Sequence, residues 1–202
     1  MALIQGYRGC FKVAALVLLG TLLGGCGINK IPSLDEKAKA AWAQVQNQYQ
    51  RRADLIPNLV EVVKGSAAHE QDTLTAVVEA RAKATSIQVD ASTLNNPEQL
   101  KQFQQAQDGL SGALNRLMVV SEQYPDLKAS QNFLTLQSQL EGSENRISVA
   151  RRDFIQAVQA YNTEIRTFPG RLWHSMLYSD LPVRANFEAT SAGADTAPQV
   201  KF

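Results

Sequence analysis

Residues 96–125 read NPEQLKQFQQAQDGLSGALNRLMVVSEQYP, and this stretch decides the fold. Positions 100, 103, 107, 110, 114, 117, 121 and 124 alternate steps of three and four, as Leu, Phe, Gln, Leu, Leu, Leu, Ser and Tyr. That spacing keeps one face of an α-helix apolar, with two polar interruptions. Asn96 is a helix N-cap. Pro97 follows at the first helical position, where its missing N–H removes no intrahelical bond. Pro125 ends the pattern.

Working outward, the same periodicity recurs. Phe133, Leu136, Leu140, Ser143, Ile147, Ala150, Phe154, Val158, Tyr161 and Ile165 form the stripe of a helix over about 129–166. At 1.5 Å per residue it spans ~57 Å. Upstream, Ser33 and Glu36 make a capping box for a helix over 34–52 with Leu34, Ala38, Ala41 or Trp42, Val45 and Tyr49 on one face. Asp54 and Pro57 predict a break or kink there, because an interior proline lacks a donor and clashes one turn back. A second helix is then expected over 55–87, with Leu55, Leu59, Val62, Ser66, His69, Thr73 and Val77 as its stripe. Gly65 inside it predicts the close approach of another helix, with a hinge as the alternative. Short loops between long amphipathic helices force antiparallel neighbours. The expected fold class is therefore all-α, an antiparallel up-and-down bundle of long helices filling four positions. Roughly 25 burial-competent apolar positions suffice to offset chain entropy. The competing use of the seams is an intermolecular coiled coil, which would make a homo-oligomer.

The N-terminus carries a different signal. Arg8 and Lys12 precede an apolar run at 13–23, and the run closes on Leu23-Gly24-Gly25-Cys26. A basic start, a short apolar core and small residues before a cut site make a secretory signal. The terminal cysteine resembles a bacterial lipobox, so cleavage is expected between Gly25 and Cys26, with acyl chains on Cys26. Cys10 has no apolar core before it and is the weaker candidate. The alternative is an uncleaved single-span anchor, since Phe11 to Leu23 plus the glycines approaches bilayer length. Either places the bundle in the bacterial cell envelope, facing the periplasm. In Gram-negative lipoproteins Asp after the acylated cysteine usually causes inner-membrane retention. Gly27 therefore points to the outer membrane. The expected division is signal peptide 1–25, lipidated tether 26–33, bundle 34–180 and tail 181–202. The tether reaches at most ~23 Å. The tail is expected to be extended or disordered, because 189–198 is small and polar. Before it, Phe168-Pro169-Gly170 is a turn, and Leu172, Trp173, Met176 and Leu177 make one or two amphipathic turns.

Charge and chemistry narrow the function. Without residues 1–25 the chain has 18 basic against 19 acidic side chains. This near-neutral balance gives no footprint for nucleic acid. Both cysteines precede residue 27, so the bundle has no disulfide, thiolate cluster or cysteine nucleophile. His69-Glu70 lacks the second histidine of a zinc motif, since position 73 is Thr. His69 is expected to be a hydrogen-bonded structural residue near the core. No phosphate loop or serine elbow is present. Thus no catalytic residue, metal or cofactor is expected. Arg51, Arg52 and Asp54 cluster at the expected kink, as a partner or headgroup surface or as a capped helix end. Glu144, Arg146, Arg151, Arg152 and Asp153 read as a salt-laced helix face, with an interior Arg at a helix contact as the other option. Trp173 is either bundle packing or membrane contact.

The run Gln50-Arg51-Arg52-Ala53-Asp54-Leu55-Ile56-Pro57-Asn58-Leu59-Val60, then Val63-Lys64-Gly65 and His69-Glu70, resembles the signature of the LemA family. Ala80-Arg81, Glu144-Asn145-Arg146-Ile147, Ala150-Arg151-Arg152, Tyr161-Asn162 and Phe168-Pro169 extend the resemblance across about 34–188. It implies a helical bundle behind an N-terminal membrane anchor or lipoprotein signal, without an established enzyme activity. The sequence departs at Phe154-Ile155, where Tyr-Asn is common, at Asn186 before Phe187-Glu188, where Tyr is common, and at Ser66, where an aromatic is usual. Two functions compete. One is a non-enzymatic envelope module with an envelope protein as partner. The other is a hydrolase or metal-dependent enzyme using His69 and nearby carboxylates.

Overall fold

A computed structural model of the chain describes residues 27–67, 69–87 and 89–187. The elements are α1 (Lys30–Ser66), α2 (Gln71–Ser86), a 3-10 turn (Ala91–Asn95), α3 (Pro97–Ser121), the single turn α4 (Pro125–Lys128), α5 (Gln131–Glu164) and α6 (Gly170–Leu177). Among the described residues there is no strand. α1, α2, α3 and α5 run up, down, up and down. The four-position bundle expected from the periodicity is the fold.

The seam of α1 shows why the chain packs this way. Ile31, Asp35, Ala38, Trp42, Val45, Tyr49, Arg52, Ile56, Leu59 and Val63 are all buried. They alternate steps of four and three without interruption, so one stripe runs the length of the 37-residue helix. α5 lies antiparallel beside it. Its predicted stripe is buried from Phe133 to Ile165, except for half-buried Leu136. The predicted seam of α3 is buried from Leu100 to Ser121.

The core has three levels. Ile31, Tyr161 and Ile165 form the end where the described chain begins. Trp42 and Phe154 centre the middle level, with Leu94, Leu100 and Phe103 around them. Ile56, Leu59, Val63, Leu110, Leu117, Leu127 and Phe133 fill the far level.

Four expectations are corrected. Helix α1 does not break at Asp54 or Pro57; it is continuous across both. It also begins at Lys30 rather than 34, and Ser33 lies inside it, its N–H bonded to the Asn29 carbonyl at 3.1 Å. Pro32 sits in the first turn, where a missing donor is harmless, and full burial of Ile31 favours the earlier start. The break falls instead at residues 67–70. A weak helix-forming pair, Gly65-Ser66, ends α1 there. Gly65 is not a close-approach site, because a Cβ added to it would meet nothing within 4 Å. Finally, residues 181–187 form neither helix nor strand and pack back on the bundle. The expected signal sequence, Cys10, Cys26 and the 189–198 run lie outside the described residues.

Candidate functional site

Arg52 occupies a seam position of α1 and is 1 % exposed. Both terminal nitrogens of its guanidinium are taken up by neighbours, while the buried Nε has no hydrogen-bond partner. One terminal nitrogen donates to Ser111 Oγ at 2.7 Å and to the Glu144 carboxylate. The other donates to Gln107 Oε1 at 2.7 Å and to the Gln107 carbonyl at 3.2 Å. The Tyr49 ring lies 5.2 Å from the guanidinium carbon. Gln107 also donates to the Ala84 carbonyl at 3.2 Å. The polar interruption of α3 therefore faces the polar interruption of α1. One node ties α1, α2, α3 and α5 together. Buried charge demands such pairing, since an unpaired guanidinium would be strongly destabilising. Burial raises the Tyr49 hydroxyl above its ordinary value near 10, opposed by the charges of Arg151 and Arg52. Beside this node lies a cleft of about 210 Å³ lined by Gln46, Tyr49, Ala53, Phe103 and Gln107 among others.

A second arginine is buried in the returning chain. Arg184 Nη2 and Nε reach Asp35 Oδ1 at 2.6 and 2.9 Å. Its other terminal nitrogen donates to Asn95 Oδ1. Asn162 Nδ2 donates to the Arg184 carbonyl at 2.9 Å, and the Arg184 N–H returns to Asn162 Oδ1 at 3.0 Å. Asp35 Oδ2 meets Lys39 Nζ at 2.9 Å. Lys39 is raised above its ordinary value, first by its hydrogen bond to Glu36 and then by the one to Asp35. Farther along, Phe187 stacks on Phe154 with centroids 5.5 Å apart and lies 6.0 Å from Trp42. Phe154 thus belongs to an aromatic cluster closed by the returning chain. Arg151 covers the outer face of Phe187 at 4.5 Å.

The sequence-predicted residues are not one site. Arg52 is interior, so it is not a partner surface; the interior arginine considered for the 144–153 face is not found there, since Arg146 and Arg152 are exposed and Arg151 is half-buried. Arg51 is exposed. Asp54 is exposed, caps nothing, and accepts from Gln50 Nε2 at 2.7 Å. Trp173 lies at the opposite end of α1, in α6, half-buried against the Ile31 level. His69 is corrected: it is exposed in the turn after α1 rather than near the core. Its neighbour Glu70 accepts from Tyr124 Oη at 2.7 Å. Among the described residues no group of three or more His, Cys, Asp or Glu is placed to hold a metal ion. Likewise, among them no helix is long and apolar enough to cross a membrane. Sequence reasoning missed Asp35, Arg81 and Arg184. Arg81 was visible within the Ala80-Arg81 match, but nothing local in Pro182-Val183-Arg184 signals burial.

Fold and geometry define an antiparallel four-position helical bundle in which two interior arginines join the helices. The chain belongs to the LemA family, which it matches over residues 41–202. It is 25 % identical over 200 residues to the magnetosome protein MamQ 2 of Paramagnetospirillum magneticum, covering 91 % of this chain and 72 % of that one. To the protein LemA of Metamycoplasma hominis it is 28 % identical over 140 residues, covering 69 % and 60 %. To the magnetosome protein MamQ of Magnetospirillum gryphiswaldense it is 26 % identical over 157 residues, covering 70 % and 58 %.

Proposed function

We propose that this chain is a non-enzymatic lipoprotein of the bacterial envelope, held to a membrane by acylated Cys26, whose bundle serves as a protein-interaction or scaffold module. The observation that carries this reading is where the interior charge goes. Arg52 and Arg184, the buried cations, are spent on helix–helix and chain–helix bonds. Catalytic groups need a reactive atom turned toward a substrate, and these are turned toward the fold. Relatives named for the magnetosome match nearly the whole chain, which supports a role in a cell structure.

Acylation is supported by the Leu23-Gly24-Gly25-Cys26 motif after its apolar run, and Gly27 favours the outer membrane. A metal-dependent reading through His69 has less support, since Glu70 is engaged by Tyr124. Intact mass of the mature chain tests the anchor. The expected species starts at Cys26 and carries acyl mass. A species that retains residues 1–25 points to the uncleaved anchor. Crosslinking in living cells from exposed Arg51 tests the partner, with Cys26→Ala as control. Recovery of nothing beyond that control would sink the interaction reading, and stoichiometric bound metal would revive the enzymatic one.

A further inference from the structure

At the end of the bundle where α1 begins, the surface changes character. Phe168, Met176, Leu177 and Leu172 are 81 %, 71 %, 54 % and 49 % exposed. They belong to α6 and the turn before it, which Trp173 fastens to Ile31, Tyr161 and Ile165. A soluble helix turns its apolar arc inward. Here the docking residue is Trp173, and its apolar neighbours are left facing outward. Gly170 holds α6 in place, because a Cβ there would lie 2.2 Å from the Glu164 carbonyl oxygen.

The position of this surface names its occupant. A Cβ on Gly27 would lie 3.4 Å from Trp173 Nε1, so the first described residue is seated against α6. The preceding residues are Cys26 and the apolar run at 13–23. Whatever holds those residues in a membrane brings α6 to the same depth. The charge agrees: Arg166 and Arg171 flank the patch and are exposed, with Asp180 an exposed acid nearby and the Glu164 carboxylate neutralised by Lys30 at 2.6 Å. Exposed apolar side chains rimmed by arginine are the composition of a helix lying in a headgroup layer.

We infer that the α6 end face is a monotopic lipid contact: Phe168, Leu172, Met176 and Leu177 insert into the interface of the bilayer that anchors the chain. The bundle then stands on the membrane on this face, and its far end, ~55 Å away along α1, projects outward. This rests on the anchoring reading above, and it adds a fixed orientation that a lipidated tether alone would not give.

The test uses the full chain reconstituted in vesicles of phosphatidylethanolamine and phosphatidylglycerol. Nitroxide is placed at Met176→Cys, at Leu172→Cys and, at the far end, at Val119→Cys, with the unsubstituted chain as blank. Collisions with oxygen and with a water-soluble nickel chelate report depth. The expected result is oxygen dominance at 172 and 176 and nickel dominance at 119. A chain that floats with the vesicles while the 176 label remains as nickel-accessible as the 119 label overturns the inference and leaves the anchor standing. A chain that fails to float overturns both.

Discussion

Arg81 Nε donates to the Ala53 carbonyl at 2.8 Å, across from α2 to α1. Ala53 is one helical turn before Pro57, so its carbonyl is the one that proline leaves without an intrahelical donor. The guanidinium replaces the missing amide. That exchange is why α1 continues through a residue that predicts its end. Arg81→Met is expected to cost about 1–3 kcal/mol, because it strands a buried acceptor. In a Pro57→Ala background the restored N–H serves that carbonyl, and the same substitution should be nearly neutral. Urea unfolding of the two single variants and the double variant measures the coupling. Additive effects would refute the exchange.

Arg52 and Glu144 form one ion pair with unequal partners, 1 % and 46 % exposed at the side chain. Arg52→Ala should cost about 3–5 kcal/mol, the usual range for dismantling a buried charged node. Glu144→Gln should cost much less, since Gln107 and Ser111 still hold the guanidinium. Equal losses in chemical denaturation would show that the carboxylate dominates instead.

Asp35→Ala removes the buried partner of Arg184. The 181–187 segment should then detach, because solvating the guanidinium is easier than burying it alone. Limited trypsin digestion reads this directly. Cleavage after Arg184 is expected to be slow in the parent chain and fast in the variant, with the bundle core intact.

Gly170→Ala forces a contact with the Glu164 backbone that no side-chain rotation relieves. Overpacking of this kind costs about 1–3 kcal/mol, here concentrated on α6. Trp173 emission should shift to the red, while the far-ultraviolet helix signal changes little.

The bundle should lose stability in alkali. Tyr49 and Tyr161 are both raised above their ordinary value near 10, in each case first by burial. Lys39 is raised too. Each group therefore holds its proton more tightly folded than unfolded, so stability is full below the unfolded values and falls as pH climbs through and beyond 10. Tyr161→Phe removes one contributor and one hydrogen bond, to the Pro182 carbonyl at 3.0 Å. It should cost about 1 kcal/mol at neutral pH and flatten the alkaline slope. A slope unchanged in this variant would remove Tyr161 from the account.

Much of the fold was legible because helix packing repeats. The seams of α3 and α5 are written in steps of three and four, and burial follows them at every position but half-buried Tyr124 and Leu136. The candidate site was less legible. Arg52 stands beside Arg51 and Asp54 in sequence, and the three look alike as surface charge. Only the seam of α1 separates them, and that seam is visible only once the helix is known to pass through Pro57.

By itself the sequence determined the helical class, the up-and-down order, the Asn96 cap, whose side chain accepts from the Glu98 and Gln99 amides, and the turn at Phe168-Pro169-Gly170. These depend on side-chain period and backbone preference within a few residues. The tertiary structure alone decided that α1 is continuous, that Arg52 and Arg184 are interior, and that the chain returns from α6 to close over Trp42. Each of these depends on a partner 28 to 149 residues away. A buried polar group is stable only if a distant donor or acceptor reaches it, and local sequence does not specify that meeting.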